Sequence, residues 1–405
     1  MGGRYRAGLV GCGRVGALWD LDNDSPAPLT HAGALSLLPQ VRLVAGASRG
    51  RLHLEAFGQR WGVDALYNDY REMLARERLD IVAVATHPGL HRDIVEHAVR
   101  AGVRAIFCEK PLALALEDAD AMVAACRPAG CVLSVNHSRR WHPAYQKARE
   151  LLQAGAIGEL ISMSGVCQGC KPHPSWQSDE EGPLLHDAVH LFDLFRMFGG
   201  EATAAIGTAR RRRLPYPVED DSQVIFEFGS GIAAAALVNE LTRYTRFELE
   251  LQGADGLIRL SDAEQRLWTS VRLPGHRSEP DPTLEWWRLE PVAFPAYRPA
   301  SPILDAIREL VACLETGAKP SSSGEDGVAS LEMCMAAYES QARDNARVTL
   351  PLDDRRSQLQ ALRRKRNPPL RRDPTQTGCD MPPTLLSANL QPVLGKRCEP
   401  EIGSG

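Results

Sequence analysis

Short apolar runs and amphipathic helical segments alternate over residues 1–136. The runs are almost continuously apolar, as strands buried on both faces are, and they comprise YRAGLVG (5–11), VRLVAGAS (41–48), DIVAVAT (80–86), VRAIFCE (103–109) and CVLSVN (131–136). Segments with helical spacing, such as HRDIVEHAVRAG and EDADAMVAAC, lie between them. Because parallel strands need long crossover connections, this alternation predicts a parallel sheet covered by helices on both faces.

The segment GCGRVG follows the first apolar run and begins the next helical segment. In that context a G-x-G-x-x-G pattern is a dinucleotide-binding fingerprint. Its first glycine permits a tight turn, the second leaves room for the pyrophosphate, and the third lets the helix pack closely on the strand. The helix N-terminus would offer N–H groups to the phosphates. The predicted phosphate-binding residues are Gly11, Cys12, Gly13, Arg14, Val15 and Gly16. The alternative is a glycine-rich turn in a fold without nucleotide.

The end of the second apolar run bears on the choice between NAD and NADP. NAD sites usually have Asp or Glu there, bonded to the ribose 2′-hydroxyl, but this run ends in Ser48 and Arg49, and Arg51 follows. A hydroxyl with nearby guanidinium groups suits a 2′-phosphate. We therefore expect NADP(H) to be preferred, with NAD(H) possible. The alternative is that both arginines are solvated residues at a helix start. The polar insertion DLDNDSPAP (20–28) is expected near the mouth of the site.

Polar residues that follow a parallel strand are candidates for a ligand site, because ligands of open α/β sheets bind outside the carboxyl ends of the strands. The run that ends at Cys108 is followed by Glu109, Lys110 and Pro111, and the proline ends the strand. Lys110 is therefore predicted to face the nicotinamide end of the cofactor. The other predicted residues of the cofactor wall are Thr86, His87, His91 and Glu109.

After Asn136 the pattern changes to strand-like runs without long helices between them. These runs include TAAIGTARRR, SQVIFEFG, IAAAALVNE, RFELELQG and GLIRLSD, and they predict a largely antiparallel sheet. We predict an N-terminal doubly wound α/β domain over 1–136 and a C-terminal α+β domain over 137–354. Residues 355–405, first basic and then Pro-rich, are predicted to form a disordered tail. A basic interaction arm is the alternative.

The chain also resembles a known family. GCGRVG, ATHPGLH (85–91), CEKPLAL (108–114), GAIGEL (155–160) and DAVHLFDL (187–194) occur in the order of the glucose–fructose oxidoreductase/inositol dehydrogenase/rhizopine catabolism (Gfo/Idh/MocA) family. The resemblance covers about residues 5–352. It implies a Rossmann domain and a C-terminal domain whose open, mostly antiparallel sheet builds a homodimer or homotetramer. It also implies an NAD(P)-dependent oxidoreductase that acts on a carbinol or carbonyl carbon of a sugar, polyol or similar small molecule.

The resemblance identifies Lys110 with the family's lysine and His190 with its catalytic histidine, with one departure. The family usually has an Asp four residues before that histidine, whereas this chain has His186 there and Asp187 one residue later. On an α-helix His186 and His190 share a face, and Asp187 is turned roughly 100° away. His186 is therefore expected in the place of the Asp, and whether His186 or Asp187 assists His190 stays open. H-x-x-x-H is also a metal-ligand spacing, but no metal is predicted.

The predicted chemistry needs these groups together. Hydride leaves a carbinol carbon only if the hydroxyl proton is removed as well, and a histidine titrates in the range that lets it accept that proton. A lysine cation stabilises the developing alkoxide. Two alternatives stay open: a nucleotide-binding sensor that kept the fold without the reaction, and a lyase or glycosidase whose cofactor is oxidised and reduced within one cycle.

Composition excludes other classes. The formal net charge of −4 argues against a protein built around nucleic acid. No run of 18 apolar residues is present, so no membrane span is expected. The ten cysteines are scattered, which suits free thiols in the cytoplasm.

Four further residues have two interpretations each. Arg139 and Arg140 are expected either to contact substrate or cofactor or to be structural. Trp286 and Trp287 are expected in the core or at a subunit contact, with a platform for a ligand as the alternative. The loop 171–183, which contains Trp176, is a candidate to cap the substrate, with a surface loop that has one buried anchor as the alternative.

Overall fold

The structure, a computed structural model of the 405-residue chain, describes residues 5–21, 27–169, 180–213, 217–277 and 285–366. Residues 1–366 belong to one compact unit. Most of the loop 171–183 and all of the chain beyond residue 366 lie outside the described residues. The expectations for those segments therefore stay predictions.

Six parallel strands and five helices make up the first sheet and its covering layers. The strands are β1 (Tyr5–Val10), β2 (Val41–Ala47), β3 (Ala65–Tyr67), β4 (Ile81–Val84), β5 (Ala105–Cys108) and β6 (Val132–Val135). The helices are α1 (His31–Leu37), α2 (Arg51–Trp61), α3 (Tyr70–Glu77), α4 (His91–Arg100) and α5 (Leu116–Cys126). The strand order β3-β2-β1-β4-β5-β6 confirms the predicted doubly wound sheet. The order reverses between β1 and β4, where such sheets bind ligands.

The sequence did not predict β3. This edge strand has three residues, all of intermediate burial, and it pairs only with β2 among the described strands. So short a segment cannot display either a continuous apolar run or a clear alternation. Its position matters because the residues that follow it lie at the ligand-binding edge of the sheet.

The helix predicted after GCGRVG is short. Arg14–Leu18 form a π-helical turn and Trp19–Leu21 a 3₁₀ turn, and a regular helix begins only at His31. The reason lies in the polar insertion. The Asp20 carboxylate accepts a hydrogen bond from the backbone N–H of Leu29 at 2.7 Å, so it organises the loop that leads into α1 instead of continuing a helix.

A nine-stranded mixed sheet forms the second layer system. Its strands are β7 (Leu160–Gln168), β8 (Ala202–Arg210), β9 (Asp221–Phe228), β10 (Ala233–Asn239), β11 (Arg246–Gly253), β12 (Gly256–Ser261), β13 (Gln265–Arg277), β14 (Glu285–Val292) and β15 (Val348–Thr349). The order is β14-β13-β12-β11-β7-β10-β9-β8-β15. Among these pairs only β7 and β10 run parallel, which confirms the predicted mostly antiparallel sheet.

Five helices accompany the second sheet along the chain. They are α6 (Pro143–Gln153), α7 (Val189–Gly199), α8 (Pro302–Thr316), α9 (Gly324–Ala342) and α10 (Gln358–Arg366). A π-helical turn, Leu184–Ala188, leads directly into α7. Short 3₁₀ turns, Pro88–Leu90 and Ser138–Trp141, precede α4 and α6.

Helix α8 returns to the first sheet, although it follows strands β7 to β14 of the second sheet in the chain. Ile303, Ile307 and Leu310 are buried in one cluster with Leu9 of β1 and Phe107 of β5. The amphipathic spacing of these residues places all three on one face, which matches a helix covering a sheet. Of the segment 137–354 assigned above to the C-terminal domain, α8 therefore belongs by packing to the N-terminal sheet.

Residues 355–366 continue the fold, so the predicted start of the tail at 355 is too early. The Arg355 guanidinium pairs with Asp120 of α5 at 2.8 Å and with Glu332 of α9. Leu359 and Leu362 of α10 are buried. The ion pairs of Arg355 and the buried leucines of α10 hold this segment against the rest of the protein. The basic composition of the segment gave no indication of either contact.

The cysteines that the structure describes are all buried, and none of them forms a disulfide; they are Cys12, Cys108, Cys126, Cys131, Cys167, Cys313 and Cys334. Within the described ranges, no helix has both the length and the apolar character needed to cross a membrane.

The glycines of GCGRVG differ in the space around them. A Cβ built on Gly16 would lie 1.9 Å from the carbonyl oxygen of Gly11, whereas a Cβ on Gly13 would meet nothing within 4 Å. Gly11 itself has a φ of +98°, a conformation that other residues rarely adopt. Gly13 has a φ of −83°, which any residue can adopt. Close packing therefore requires Gly16, whereas the space beside Gly13 is open.

Gly16→Ala is expected to lower the free energy of unfolding by about 1–3 kcal/mol, because the new methyl group overlaps backbone that cannot rotate away. Gly13→Ala should stay within about 0.5 kcal/mol of the wild type. Urea denaturation of both variants without nucleotide measures the difference. Equal losses in the two variants would contradict the close approach of Gly16 to Gly11.

Candidate functional site

A cleft of about 1090 Å³ opens at the carboxyl ends of β1, β2 and β4. This is the point where the strand order reverses, so the cleft lies where doubly wound sheets bind their ligands. It brings together five of the residues predicted to bind the cofactor, namely Gly11, Ser48, Arg49, Thr86 and His87. Its size is sufficient for an extended dinucleotide.

The phosphate-binding segment fits the group that its sequence implies. The open space at Gly13 is what a pyrophosphate needs to approach the backbone. Cys12 is fully buried, its thiol faces the carbonyl oxygen of Ala47 at 3.9 Å, and burial raises its pKa to about 12. It can therefore offer a nucleotide only its backbone. Arg14 is exposed and lies over the Trp19 ring, 5.1 Å from its centroid. Val15 is half-buried on the same turn.

Arg49 is the unpaired cation at the β2 end of the cleft. Its side chain is exposed and makes no hydrogen bond or ion pair with any residue that the structure describes. Arg51 differs, because its guanidinium bonds the Glu55 carboxylate at 2.7 Å. Ser48 lines the cleft beside Arg49. Of the two arginines considered above, Arg49 alone is thus placed to meet a ligand in this cleft.

The sequence analysis missed the part of the cleft that follows β3. Asn68, Asp69, Tyr70 and Arg71 line it. Arg71 is not free, since it pairs with Asp93 of α4 and lies 3.7 Å from Asp69. Asp69 is the N-cap of α3, and its side chain accepts a hydrogen bond from the backbone N–H of Arg71 at 2.9 Å. An aspartate before a helical segment is a signal that the sequence contains. It could not be assigned to the ligand-binding edge of the sheet, because β3, the strand before it, was not predicted.

Glu109 is held by the protein itself. Its carboxylate accepts hydrogen bonds from His31 Nε2 at 2.8 Å and Asn136 Nδ2 at 2.6 Å. Burial alone would raise its pKa, but hydrogen bonding and charge from His31, with the Asn136 hydrogen bond, lower it to about 2. The carboxylate is therefore ionised and anchored at the end of β5. Its predicted contact with the cofactor stays a prediction.

Lys110 links the two sheets at the site. Its Nζ donates a hydrogen bond to the backbone carbonyl oxygen of His186 at 2.6 Å. The Lys110–Pro111 peptide is cis. Lys110, which is predicted to face the nicotinamide, thus contacts the turn Leu184–Ala188. This turn leads into α7, the helix that carries His190.

His91 and His87 do different things on the cofactor wall. The His91 ring is fully buried between the carbonyl oxygens of Thr86 at 3.0 Å and Leu112 at 3.1 Å, and burial lowers its pKa. It ties together the loops that follow β4 and β5. His87 Nδ1 accepts from the backbone N–H of Gly89 at 3.2 Å. Its Nε2 faces two carboxylates of the segment before α7, described below.

His190 sits on α7 in cationic surroundings. Its ring packs edge-on against the His137 ring with centroids 6.4 Å apart. Its Nδ1 is buried and has no hydrogen-bond partner among the described residues. Burial lowers its pKa well below the usual value, and the positive charges of Arg139 and Lys110 lower it further. The imidazole is therefore neutral at physiological pH.

The structure corrects the helical geometry assumed for His186 and Asp187. Both lie in the π-helical turn Leu184–Ala188, where the α-helical rotation of roughly 100° per residue does not apply. The Asp187 carboxylate nevertheless stays close to the imidazole, since its Oδ1 lies 3.7 Å from His186 Nε2. His186 Nδ1 faces Glu181 Oε2 at 3.4 Å. The sequence offered no signal for this role of Glu181, because it stands in a loop outside any periodic segment.

The two arginines after β6 have separate roles. The Arg140 guanidinium bonds the buried Asp193 carboxylate at 2.8 and 2.7 Å, so it anchors α7. Arg139 lies over the Phe247 ring at 3.6 Å from its centroid, and its charge acts on His190. The structural interpretation therefore holds for Arg140, whereas the contact predicted between Arg139 and substrate or cofactor stays a prediction.

Two family models match the chain. The model described as "Oxidoreductase family, NAD-binding Rossmann fold" matches residues 5–137, and the Gfo/Idh/MocA C-terminal domain model matches residues 145–259. Together they span more than half of the chain.

Several curated proteins are similar over most of their length. D-apiose dehydrogenase from Paraburkholderia graminis is 32% identical over 359 residues, covering 86% of this chain and 90% of the relative. Inositol 2-dehydrogenase from Rhizobium meliloti is 27% identical over 344 residues, covering 83% of this chain and 97% of the relative.

Solved structures share the fold. Levoglucosan dehydrogenase in complex with NADH and L-sorbose superposes with a TM-score of 0.71 at 20% identity, covering 87% of this chain and 100% of that one. The WlbA dehydrogenase from Bordetella pertussis, in complex with NADH and UDP-GlcNAcA, gives a TM-score of 0.70 at 22% identity, with 87% and 99% covered. With the family models and the 32% identical relative, the conclusion is that this chain belongs to the Gfo/Idh/MocA family of NAD(P)-dependent oxidoreductases.

Proposed function

We propose that the protein transfers hydride between a nicotinamide cofactor and a carbinol or carbonyl carbon of a sugar or polyol. The observation that carries this is the hydrogen bond of 2.6 Å from Lys110 to the His186 carbonyl oxygen. It brings a cation at the rim of the nucleotide-binding sheet against the turn that carries His186 and leads to His190. The names of similar proteins, D-apiose dehydrogenase and inositol 2-dehydrogenase, support a sugar or polyol substrate.

The charges of the side chains at the site suggest a separate role for each in the reaction. The cofactor, when bound, accepts or donates the hydride. Lys110 stabilises the oxygen that becomes alkoxide-like as the hydride leaves. His190, with His186 and Asp187 one turn before it, supplies proton-accepting and orienting groups beside that oxygen. Arg139 adds positive charge on the same side.

We further propose that NADP(H) is preferred over NAD(H). No carboxylate follows β2, where a ribose 2′-hydroxyl partner would stand. The unpaired Arg49 beside Ser48 in the cleft supports recognition of a 2′-phosphate. The two similar structures described above contain NADH. A preference for NADP(H) would therefore depend on the residues that follow β2 in this chain.

A second copy of the chain is the partner we propose for the open face of the second sheet. Ile206 of β8 pairs in register with Ile225 of β9, and Leu237 of β10 lies on the same side. These side chains are 37%, 50% and 49% exposed on three neighbouring strands of the sheet. Monomers rarely leave large aliphatic groups clustered in this way. Trp286 and Trp287 of β14 are also exposed, so the interpretation as core residues is wrong and that as a subunit contact stays a prediction.

Lys110→Met is expected to lower kcat by about 10²–10⁴-fold in a sugar and polyol screen followed by NADPH absorbance, since the cation that stabilises the oxygen is removed. The nucleotide Kd from calorimetry should change by less than about threefold, because the lysine acts on the substrate oxygen. Lys147→Met on the outer part of α6, where Lys147 pairs only with Glu150 among described residues, is the control. Wild-type turnover in the Lys110 variant would remove the assignment.

Calorimetric titration of the apo-protein is expected to show tighter binding of NADPH than of NADH. Arg49→Ala should weaken NADPH binding by about 10–100-fold, because the variant loses charge-assisted hydrogen bonds to the 2′-phosphate. NADH has no 2′-phosphate, so its binding should be unchanged. Arg51→Ala is the matched control, because Glu55 already holds that guanidinium. Tighter binding of NADH by the wild type would contradict the proposed preference.

Ile225→Glu is expected to shift sedimentation velocity profiles to the monomer, because a carboxylate on this sheet face would be buried unpaired in the interface. Leu52→Glu, at an exposed position of α2, is the control for an added surface charge and should leave the assembly intact. A wild-type protein that sediments as a monomer at micromolar concentration would refute the proposed interface.

A further inference from the structure

Glu181 is a buried carboxylate between two imidazoles. Its side chain is 1% exposed, its Oε1 lies 3.3 Å from His87 Nε2, and its Oε2 lies 3.4 Å from His186 Nδ1. Burial alone would raise its pKa, but the hydrogen bond with His186 and the nearby His87 imidazole lower it to about 2. An ionised carboxylate therefore joins the cofactor wall after β4 to the turn that begins the catalytic helix.

The contacts assign a tautomer to each histidine. The Gly89 N–H donates to His87 Nδ1 at 3.2 Å, so the proton of a neutral His87 lies on Nε2, facing Glu181. At His186 the nitrogen that faces the carboxylate is Nδ1. That nitrogen carries the proton, because an ionised carboxylate can only accept. Nε2 of His186 is then the nitrogen with a lone pair.

His190 lacks such support. Among the described residues no carboxylate contacts its ring and its Nδ1 is unpaired, and the charges acting on it from Lys110 and Arg139 are positive. A proton placed on His190 would be repelled by these cations. A proton placed on His186 would form an ion pair with Glu181. A carboxylate that orients an imidazole and stabilises its cation is what makes histidine an effective base.

We propose that His186 takes the substrate's hydroxyl proton on Nε2 and that Glu181 is its positioning residue, the two together replacing the family's aspartate. In the oxidation, the C–H electron pair leaves with the hydrogen as hydride to the nicotinamide. The O–H bond breaks toward His186 Nε2, the carbon–oxygen double bond forms, and the proton then passes to solvent. Lys110 stabilises the oxygen during this step, and neutral His190 orients it.

Other charged groups surround this pair. Glu180 shares His87 with Glu181, at 3.0 Å from its Nε2. Asp187 Oδ1 lies 3.7 Å from His186 Nε2, beyond hydrogen-bond range, and a carboxylate at this distance favours the imidazolium that forms when Nε2 takes a proton. Glu219 lies beneath the same turn, but it accepts from the backbone N–H of Leu184 at 3.1 Å and from the Tyr338 hydroxyl at 2.8 Å. Glu219 therefore anchors the turn without contacting an imidazole.

The direct test is ¹⁵N NMR of histidine-labelled apo-protein. His186 is expected to show the Nδ1–H tautomer in the wild type and to lose it in Glu181→Gln, whose amide presents a donor as well as an acceptor. Glu219→Gln, the control for anchoring of the turn, should keep the wild-type tautomer. An Nε2–H tautomer at His186 in the wild type would overturn the proposal whatever the activity.

The kinetic test separates positioning from folding. This inference rests on the proposed function, and Glu181→Gln is expected to lower kcat by about 10²-fold or more with the nucleotide Kd within about threefold of the wild type. His186→Asp restores the family's residue and should retain measurable turnover. Adding Glu181→Gln in that background should then cost less than about threefold. An equal loss in both backgrounds would mean that Glu181 acts only on structure.

Failure of the two proposals can be told apart. If the wild type turns over no sugar or polyol, the proposed function fails, and the tautomer of His186 still decides whether Glu181 holds that ring. If the wild type is active and Glu181→Gln retains its kcat, the assignment of the base to His186 fails alone. A larger loss of kcat on His186→Ala than on His190→Asn would support the proposal, and the reverse order would contradict it.

Discussion

The ionised carboxylate of Glu109, buried behind the end of β5, constrains the whole site. A charge away from water is tolerated only when it is fully hydrogen-bonded, so His31 and Asn136 must both be in place. These partners come from α1 and from the residue after β6, two segments far apart in the chain. Because Lys110 is the next residue, the direction of its side chain depends on this buried arrangement. The E-K-P element thus combines one residue that fixes the backbone with one that is proposed to face the ligand.

Two histidines one turn apart acquire different properties from their surroundings. His190 is buried among positive charges, which lower its pKa and keep it neutral. His186 has the Glu181 carboxylate at its Nδ1. The same side-chain chemistry therefore gives a neutral orienting group in one position and a charge-supported base in the other. Such a division of roles by environment is common in enzymes with paired titratable groups. The π-helical turn contributes by placing His186 outside the regular spacing of α7.

The sequence predicted the elements whose signal is local. Continuous apolar strands, the GCGRVG turn and polar residues after strand ends gave the doubly wound sheet, the cleft and Lys110, because each depends on spacing along a few residues. The role of Glu181 stayed hidden, since a loop carboxylate has no periodicity and its partner His87 lies 94 positions earlier. The π-helical turn and the packing of α8 were missed for a related reason: tertiary contacts decide them. The tail was placed too early because the ion pairs of Arg355 involve residues distant in sequence.

The return of α8 to the first sheet affects how such a protein can change over evolutionary time. Phe107 of β5 and Ile307 of α8 share one core, although eight of the nine strands of the second sheet lie between them in the chain. A recombination event that exchanged the chain after residue 137 would also replace α8. The new α8 would then have side chains that pack on the first sheet of another protein. Modular exchange of the two halves is therefore disfavoured. Diversification of substrates is left to point changes on the second sheet and to loops such as the one before α7. The inherited module is the chain through α10.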